Sequence, residues 1–201
     1  MKMKSKIQNS YPQALFYNSR ALKIYVVDFT ERTGSKRKVE VHETIPQVPN
    51  SNKNMDCLMF ENPSRVSVIC NIFDDNQFKD NTGKDIQHCE CVLFPESEQN
   101  NIGTAFVEIK DCKSKNISVY KDKVKSQIIS TVQIFREKGI IEGCQRVYGI
   151  ISFPRRNKVS FNQTIFDDAT EYKKLYQRHR ICFFPTNNVY IVDKKKLTAK
   201  W

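Results

Sequence analysis

The feature that most constrains the fold is a pair of short apolar segments, residues 89–94 and 106–110, with charged residues among the apolar ones. Their length and apolar character are typical of buried β-strands. Because side chains alternate between the two faces of a strand, Glu108 and Lys110 must emerge on the same face. The mostly polar residues 95–101 join the two segments and favour a hairpin, so we expect the strands to pair antiparallel.

A third charged residue, Glu90, lies in the first segment, where pairing brings it beside Glu108 and Lys110. Two neighbouring carboxylates repel each other and lose solvation unless a cation joins them, and a divalent ion that prefers oxygen ligands meets that need. Such an ion polarises a phosphoryl oxygen and lowers the pKa of a bound water, while Lys110 orients that water or stabilises charge on the phosphate. The segments therefore predict a metal site that hydrolyses phosphodiesters. The alternative is a solvated edge strand with a weak ion pair between Glu108 and Lys110.

The stretch from residue 84 to residue 135 resembles the PD-(D/E)XK nuclease superfamily, whose core carries an acidic residue on one strand, Glu-x-Lys on the next and then a helix. Glu90 matches the first acidic position, Glu108 the second acidic position and Lys110 the lysine. Some branches of the superfamily bring a glutamine towards the site from the following helix, and Gln127 stands where that residue is expected. The resemblance implies that these four residues are catalytic.

The resemblance also implies a fold. We expect an α/β protein with a central mixed β-sheet flanked by helices, a restriction-endonuclease-like core and an N-terminal β-hairpin. Residues 1–201 would form a single domain, in which residues 1–60 are the N-terminal hairpin and loop elaboration and residues 61–201 are the nuclease-like core.

The implied cofactor is Mg²⁺ or Mn²⁺, held by Glu90, Glu108 and the backbone carbonyl of Ile109. The implied activity is that of a metal-dependent endonuclease, with DNA expected before RNA, as in an effector of a bacterial or phage defence system. The first acidic position of the superfamily is usually aspartate, and Glu90 is longer by one methylene. That departure motivates an alternative, a nuclease-fold module that does not cut and serves as a nucleic-acid-binding or assembly subunit.

The chain carries 33 lysine and arginine residues against 22 aspartate and glutamate residues, a formal net charge of +11, which favours a polyanionic partner. The basic residues expected to bind phosphates are Lys113, Lys115, Lys121, Arg155 and Arg156, and a further basic cluster occupies residues 194–196. We expect nucleic acid as the partner, with a homodimer or a partner subunit of a defence complex as further options. The alternatives are an acidic protein partner and lysines that only keep the surface soluble.

No apolar run approaches the ~20 residues that span a bilayer, and the start of the chain lacks the apolar centre of a signal peptide. The seven cysteines, an odd number lying mostly in apolar segments, are typical of buried thiols in a reducing compartment. We therefore expect a cytoplasmic protein without a membrane span.

The sequence predicts further elements around the charged strands. Apolar residues recur at helical spacing from Val124 to Phe135 and predict a helix that Gly139 ends, and the apolar run 146–153 predicts a strand, buried on both faces, that completes a βαβ unit. The other predicted elements are a hairpin over residues 21–44, a loop over 46–54, a strand over 65–73, a helix capped by Asp167 or Asp168 with Ala169, Tyr172, Leu175 and Tyr176 inward, and a closing pair of strands, 181–184 with 189–192.

Overall fold

Two stacked β-sheets and a layer of helices make up the part of the chain that the structure describes. The structure, a computed structural model, describes residues 2–29, 39–74, 77–99, 102–110, 117–156 and 162–199. The strands in these ranges are β1 (Leu15–Ser19), β2 (Lys23–Asp28), β3 (Val39–His42), β4 (Leu58–Glu61), β5 (Val68–Ile72), β6 (Cys91–Pro95), β7 (Ala105–Ile109), β8 (Val147–Ser152), β9 (Ile181–Pro185), β10 (Asn188–Ile191) and β11 (Leu197–Ala199). The helices are α1 (Met3–Ser10), α2 (Ile117–Glu137), α3 (Asn162–Ile165) and α4 (Ala169–His179), and a single 3₁₀ turn spans Pro154–Arg156.

The first sheet has six strands in the order β1-β5-β6-β7-β8-β9. The strands from β1 through β5 and β6 to β7 pair antiparallel, whereas β7, β8 and β9 pair parallel, so the sheet is mixed. The antiparallel pairing of β6 with β7 confirms the pairing predicted for the two charged segments. Because β7 lies between β6 and β8, it is an interior strand, and every one of its residues is buried.

The second sheet has five strands in the order β11-β10-β4-β2-β3, with β10 parallel to β4 and the other pairs antiparallel. Apolar side chains from the facing sides of the two sheets form one buried cluster, in which Phe60 and Val189 of the second sheet meet Val107 and Ile150 of the first. The hairpin predicted over residues 21–44 is present as β2 and β3, and its turn lies outside the described residues. This hairpin is part of the second sheet.

The opposite face of the six-stranded sheet carries the four helices of the described chain, which contribute Ile7, Ile128, Ile165 and Leu175 to a second apolar cluster. The α/β class is therefore confirmed. The expectation of a central sheet flanked by helices is met on one face only, because the second sheet covers the other face. None of the described helices is long and apolar enough to cross a membrane.

The helix α2 and the strand β8 follow the sequence pattern closely. The predicted apolar stripe of α2 is fully buried, and Gly139 ends the helix in the left-handed conformation, with φ at 64°. The N–H of Ile140 donates to the carbonyl of Phe135 (2.8 Å), which satisfies one of the last helical carbonyls. The strand β8 pairs parallel to β7, and all six of its residues are buried. The predicted strand and its helical crossover from β7 are both confirmed.

The prediction that strands 181–184 and 189–192 pair with each other is wrong. Residues 181–185 form β9, which adds to the six-stranded sheet beside β8, whereas β10 joins the second sheet beside β4. The turn between them therefore carries the chain from one sheet to the other. Its Thr186 N–H donates to the carbonyl of Ile151 (3.0 Å), and the Asn187 side chain bonds both the hydroxyl of Ser152 and the backbone of Phe153.

The predicted cap of the last helix is confirmed at Asp168, whose carboxylate accepts a hydrogen bond from the backbone N–H of Glu171 (2.7 Å). This bond lowers the pKa of Asp168. The residues expected to face inward do so only in part, since Tyr172 and Leu175 are half-buried but Ala169 is exposed.

A substitution in β8 tests the close packing of this strand against side chains of β9 on the helix-covered face of the sheet. A Cβ at Gly149 would lie 2.8 Å from Cδ1 of Phe183 and 2.9 Å from Cγ2 of Ile181, so Gly149→Ala should destabilise the protein by about 1–3 kcal/mol. Urea unfolding measures the change. Gly143→Ala is the matched control, because nothing lies within 4 Å of its Cβ, and its free energy of unfolding should stay within about 0.5 kcal/mol of the wild type. Equal stability of the two variants would contradict this packing.

Candidate functional site

The strands β6 and β7 bring three charged residues to the helix-covered face of the six-stranded sheet. Val92 lies opposite Phe106 in the antiparallel register, and both side chains pack into the cluster beneath α2. Side chains alternate along a strand, so Glu90, Glu108 and Lys110 share the face of these two apolar residues. The predicted convergence of the three charged residues is therefore observed.

The Lys110 ammonium lies between the two carboxylates. Its Nζ is 2.7 Å from Oε1 of Glu108 and 3.6 Å from Oε1 of Glu90. The Glu108 side chain is fully buried, the Glu90 side chain is 4% exposed, and the Lys110 side chain is 20% exposed. The alternative of a solvated edge strand is thus wrong, because β7 is an interior strand and its carboxylate is shielded from water.

Two carboxylates and one ammonium lie together in a place where water is largely excluded. Bringing two carboxylates together away from water is unfavourable, so a cation beside them stabilises the site. Carboxylate oxygens are hard donors of the kind that Mg²⁺ and Mn²⁺ prefer, and the donor set of Glu90 and Glu108 therefore fits a divalent ion.

Other ligands for such an ion are few. Within the described ranges no group of three or more His, Cys, Asp or Glu side chains is placed to hold a metal ion. The side chain of Ile109 packs between the two sheets, so only its backbone carbonyl remains as the donor predicted there. The nearby thiol of Cys91 stays protonated at neutral pH, because a hydrogen bond with Cys70 and burial raise its pKa.

The backbone of Glu90 is held between two strands although the residue precedes β6. Its N–H donates to the carbonyl of Val107 (2.9 Å), and its carbonyl accepts from the N–H of Phe73 (3.0 Å). The preceding residues are bound by α2 instead. The N–H of Cys89 donates to Oγ1 of Thr131 (2.9 Å), so the helix meets the chain immediately before the Glu90 carboxylate.

Gln127 lies in this contact between the helix and the strand. Its side chain is buried, and Nε2 donates to the carbonyl of His88 (2.9 Å), whereas Oε1 has no hydrogen-bond partner in the part of the chain that the structure describes. An exposed glutamine without contacts is therefore excluded, and the catalytic role of Gln127 stays a prediction.

Thr131 was missed by the sequence reasoning. Its signal was the polar pair at positions i and i+4 beside the apolar stripe, since such residues share a helix face.

The basic residues predicted to bind phosphates have different surroundings. Lys121 pairs with Asp167, which raises the pKa of Lys121 and lowers the pKa of Asp167, so a phosphate would have to displace a carboxylate there. Arg155 is half-buried in the 3₁₀ turn that follows β8. This turn begins near the site, because Ser152 accepts a hydrogen bond from the N–H of Lys110 (3.0 Å). Arg156 belongs to the same turn, and Lys113 and Lys115 lie outside the described residues.

The basic cluster at residues 194–196 lies at the other end of β7. The carbonyl of Lys194 accepts a hydrogen bond from the N–H of Gly103 (2.8 Å), which comes just before the first residue of β7. At about 3.3 Å per residue, a strand of this length separates that end from Lys110 by about 20 Å. This cluster therefore does not border the carboxylates.

Comparison of the chain with protein-family models, with curated proteins and with solved structures finds no match.

A double-mutant cycle tests the buried ion cluster. Lys110→Met should destabilise the protein by about 2–4 kcal/mol, because it leaves two buried carboxylates without their ammonium. In a background of Glu108→Gln the same change should cost less, with a coupling free energy of about 1–3 kcal/mol in urea unfolding. The control is Lys2 with Glu98, whose side chains are 49% and 76% exposed, and whose coupling should be clearly smaller because water screens it. Equal coupling in the two pairs would contradict a desolvated cluster.

Proposed function

We propose that this protein is a metal-dependent nuclease that hydrolyses phosphodiester bonds. The observation that carries the proposal is the convergence of Glu90, Glu108 and Lys110 in one buried site, where the Lys110 ammonium contacts both carboxylates. This combination of two hard oxygen donors and one ammonium is what the chemistry requires. The expectation of DNA before RNA comes from the resemblance to the PD-(D/E)XK superfamily.

Each residue has a role that follows from its position. Glu90 and Glu108, with the carbonyl of Ile109, would hold a divalent ion. That ion, when bound, supplies Lewis-acid polarisation of a phosphoryl oxygen and a water of lowered pKa. Lys110 is the group with the most exposure to solvent of the three, so its ammonium can reach a phosphate oxygen or the attacking water. The helix above the site excludes water and strengthens these electrostatic interactions.

The order of elements supports a restriction-endonuclease-like core. The antiparallel strands β5, β6 and β7 are consecutive in the chain, α2 follows, and β8 returns parallel to β7. The acidic position on one strand, the Glu-x-Lys on the next strand and the following helix then occur in the arrangement that the superfamily resemblance implies. The second sheet and the pairing of β10 with β4 are additions to that core.

A second candidate function is a nuclease-fold module that binds nucleic acid or assembles with a partner but does not cut. One observation favours it: the Lys110 ammonium lies close enough to both carboxylates to serve as a counter-ion for each of them. In this case the ion cluster would be a structural element of the sheet. The two candidates differ in whether the protein binds a divalent ion.

The partner in either case is proposed to be nucleic acid, because the net charge of +11 favours a polyanion. A cytoplasmic nuclease of a defence system, acting as a homodimer or beside a partner subunit, is the setting that the superfamily resemblance implies. An acidic protein partner would be favoured instead if the protein bound neither DNA nor RNA at low salt.

Variants that remove one charged group from the site test the proposed nuclease activity. Glu108→Gln and Lys110→Ala should each reduce Mg²⁺- or Mn²⁺-dependent cleavage of labelled DNA by at least about 100-fold, with circular dichroism unchanged. Lys79→Met is the matched control, because it removes an ammonium from an exposed pair with Asp85 (3.9 Å) and should keep full activity. Cleavage that survives both site substitutions would rule out this mechanism.

Calorimetry separates the two candidate functions. A nuclease should bind Mn²⁺ in its wild-type form and lose that binding in Glu108→Gln. A module that no longer cuts should show no Mn²⁺ binding, while its affinity for nucleic acid persists and falls with rising salt.

A further inference from the structure

The chain changes its hydrogen-bond partners immediately before Glu90. From Glu90 onwards, the backbone is bound by the neighbouring strands, through the carbonyl of Val107 and the N–H of Phe73. One residue earlier, the N–H of Cys89 donates to the side chain of Thr131 on α2 (2.9 Å). The position of the Glu90 carboxylate therefore depends on the helix as well as on the sheet.

The Thr131 hydroxyl is used as both donor and acceptor. Thr131 is fully buried, and its Oγ1 donates to the carbonyl of Gln127, one helical turn earlier, at 2.8 Å while it accepts from Cys89. A threonine hydroxyl that bonds the carbonyl four residues back is held in one rotamer. The Thr131 hydroxyl therefore offers an acceptor in a fixed position to the N–H of Cys89, and it is more than a polar group that fits into the packing.

Further contacts hold His88 and Cys89 in place. The carbonyl of His88 accepts from Nε2 of Gln127 (2.9 Å), and the His88 ring stacks on Phe78 with ring centroids 4.5 Å apart. The Nδ1 atom of His88 lies 2.8 Å from the carbonyl of Cys89. The helix therefore holds the chain before Glu90 at two points, and the Thr131 bond is the one nearer to Glu90.

We propose that Thr131 is a positioning residue that sets the Glu90 carboxylate against Lys110 and Glu108. The geometric part of this inference stands on the contacts above, and its consequence for catalysis rests on the proposed function. A side chain of the same shape without the hydroxyl would remove the Thr131 acceptor from the N–H of Cys89, and the chain before Glu90 would shift. The Glu90 carboxylate would move with it, away from its place 3.6 Å from the Lys110 ammonium.

Three variants isolate the hydroxyl. Thr131→Val keeps the shape and removes the hydroxyl, whereas Thr131→Ser keeps the hydroxyl. Thr104→Val is the matched control, because Thr104 is also fully buried, bonds the carbonyl of Ile102 (3.4 Å) and lies before the first residue of β7, at the end away from Lys110.

The first measurement is the ¹³C signal of the Glu90 side-chain carboxyl in metal-free protein, assigned with Glu90→Gln. The signal should shift in Thr131→Val and stay at its wild-type position in Thr131→Ser and Thr104→Val. If the valine variant does not fold, Thr131→Ala takes its place with the same expected shift. An unchanged Glu90 signal in the variant that lacks the hydroxyl overturns the proposal, and so does an equal shift in Thr104→Val or a shift in Thr131→Ser.

The second measurement connects the position of Glu90 to the chemistry. Calorimetry with Mn²⁺ alone should show affinity reduced by about 10- to 100-fold in Thr131→Val and restored in Thr131→Ser, the range found when supporting hydrogen bonds of metal ligands are removed. The kcat of cleavage should fall with KM unchanged. Failure of the wild type to bind Mn²⁺ counts against the proposed function, and the carboxyl signal then decides the role of Thr131. Wild-type affinity in Thr131→Val with a shifted Glu90 signal would overturn the catalytic consequence alone.

Discussion

An ammonium held between two carboxylates constrains the register of the central strands. Both faces of β6 and β7 carry apolar residues, so apolar burial alone would allow a register shift of one residue that exchanges the two faces. The charged residues do not allow this shift, because it would turn Glu90 away from Lys110 and into the apolar layer between the two sheets. There it would be an unpaired buried charge, which costs far more than a lost apolar contact. The register of β6 and β7 is thus set by electrostatics together with hydrophobic burial.

The second sheet makes this arrangement possible. It covers the face of β7 that carries Val107 and Ile109, so the strand is interior in two senses, with neighbours on both edges and layers on both faces. All charge on β7 must then lie on the helix side, and α2 closes that side except around Lys110. The strands, the second sheet and α2 surround the site and make it rigid, and Lys110 is its chief point of contact with solvent.

The parts of this structure that the sequence predicted are those encoded over a short range. Alternation predicted the shared face of Glu108 and Lys110, helical spacing predicted α2, and Gly139 and the pair Asp167 and Asp168 predicted helix ends, because each signal lies within a few residues of the structure it determines. The pairing of β10 with β4 was not predictable in this way, since it joins Tyr190 with Glu61 across most of the chain. The alternation of apolar residues identifies a strand but does not identify the strand with which it pairs. The same limit hid Thr131, whose role depends on a contact with Cys89 across 42 positions.

Two carboxylates and one ammonium are a costly way to fill the space beneath α2. A trio of apolar side chains of similar volume would fill the space beneath α2 and is often neutral or stabilising relative to a buried ion cluster. Stability alone therefore does not call for two carboxylates and one ammonium, nor for the helix side chains of Gln127 and Thr131 that hold the turn before Glu90. Because the chemistry of Glu90, Glu108 and Lys110 departs from what packing favours while hydrogen bonds hold the chain beside them in place, the proposed function is assigned to these three residues. The exposed lysines at residues 194–196 show no such departure, because a solvated surface accounts for them.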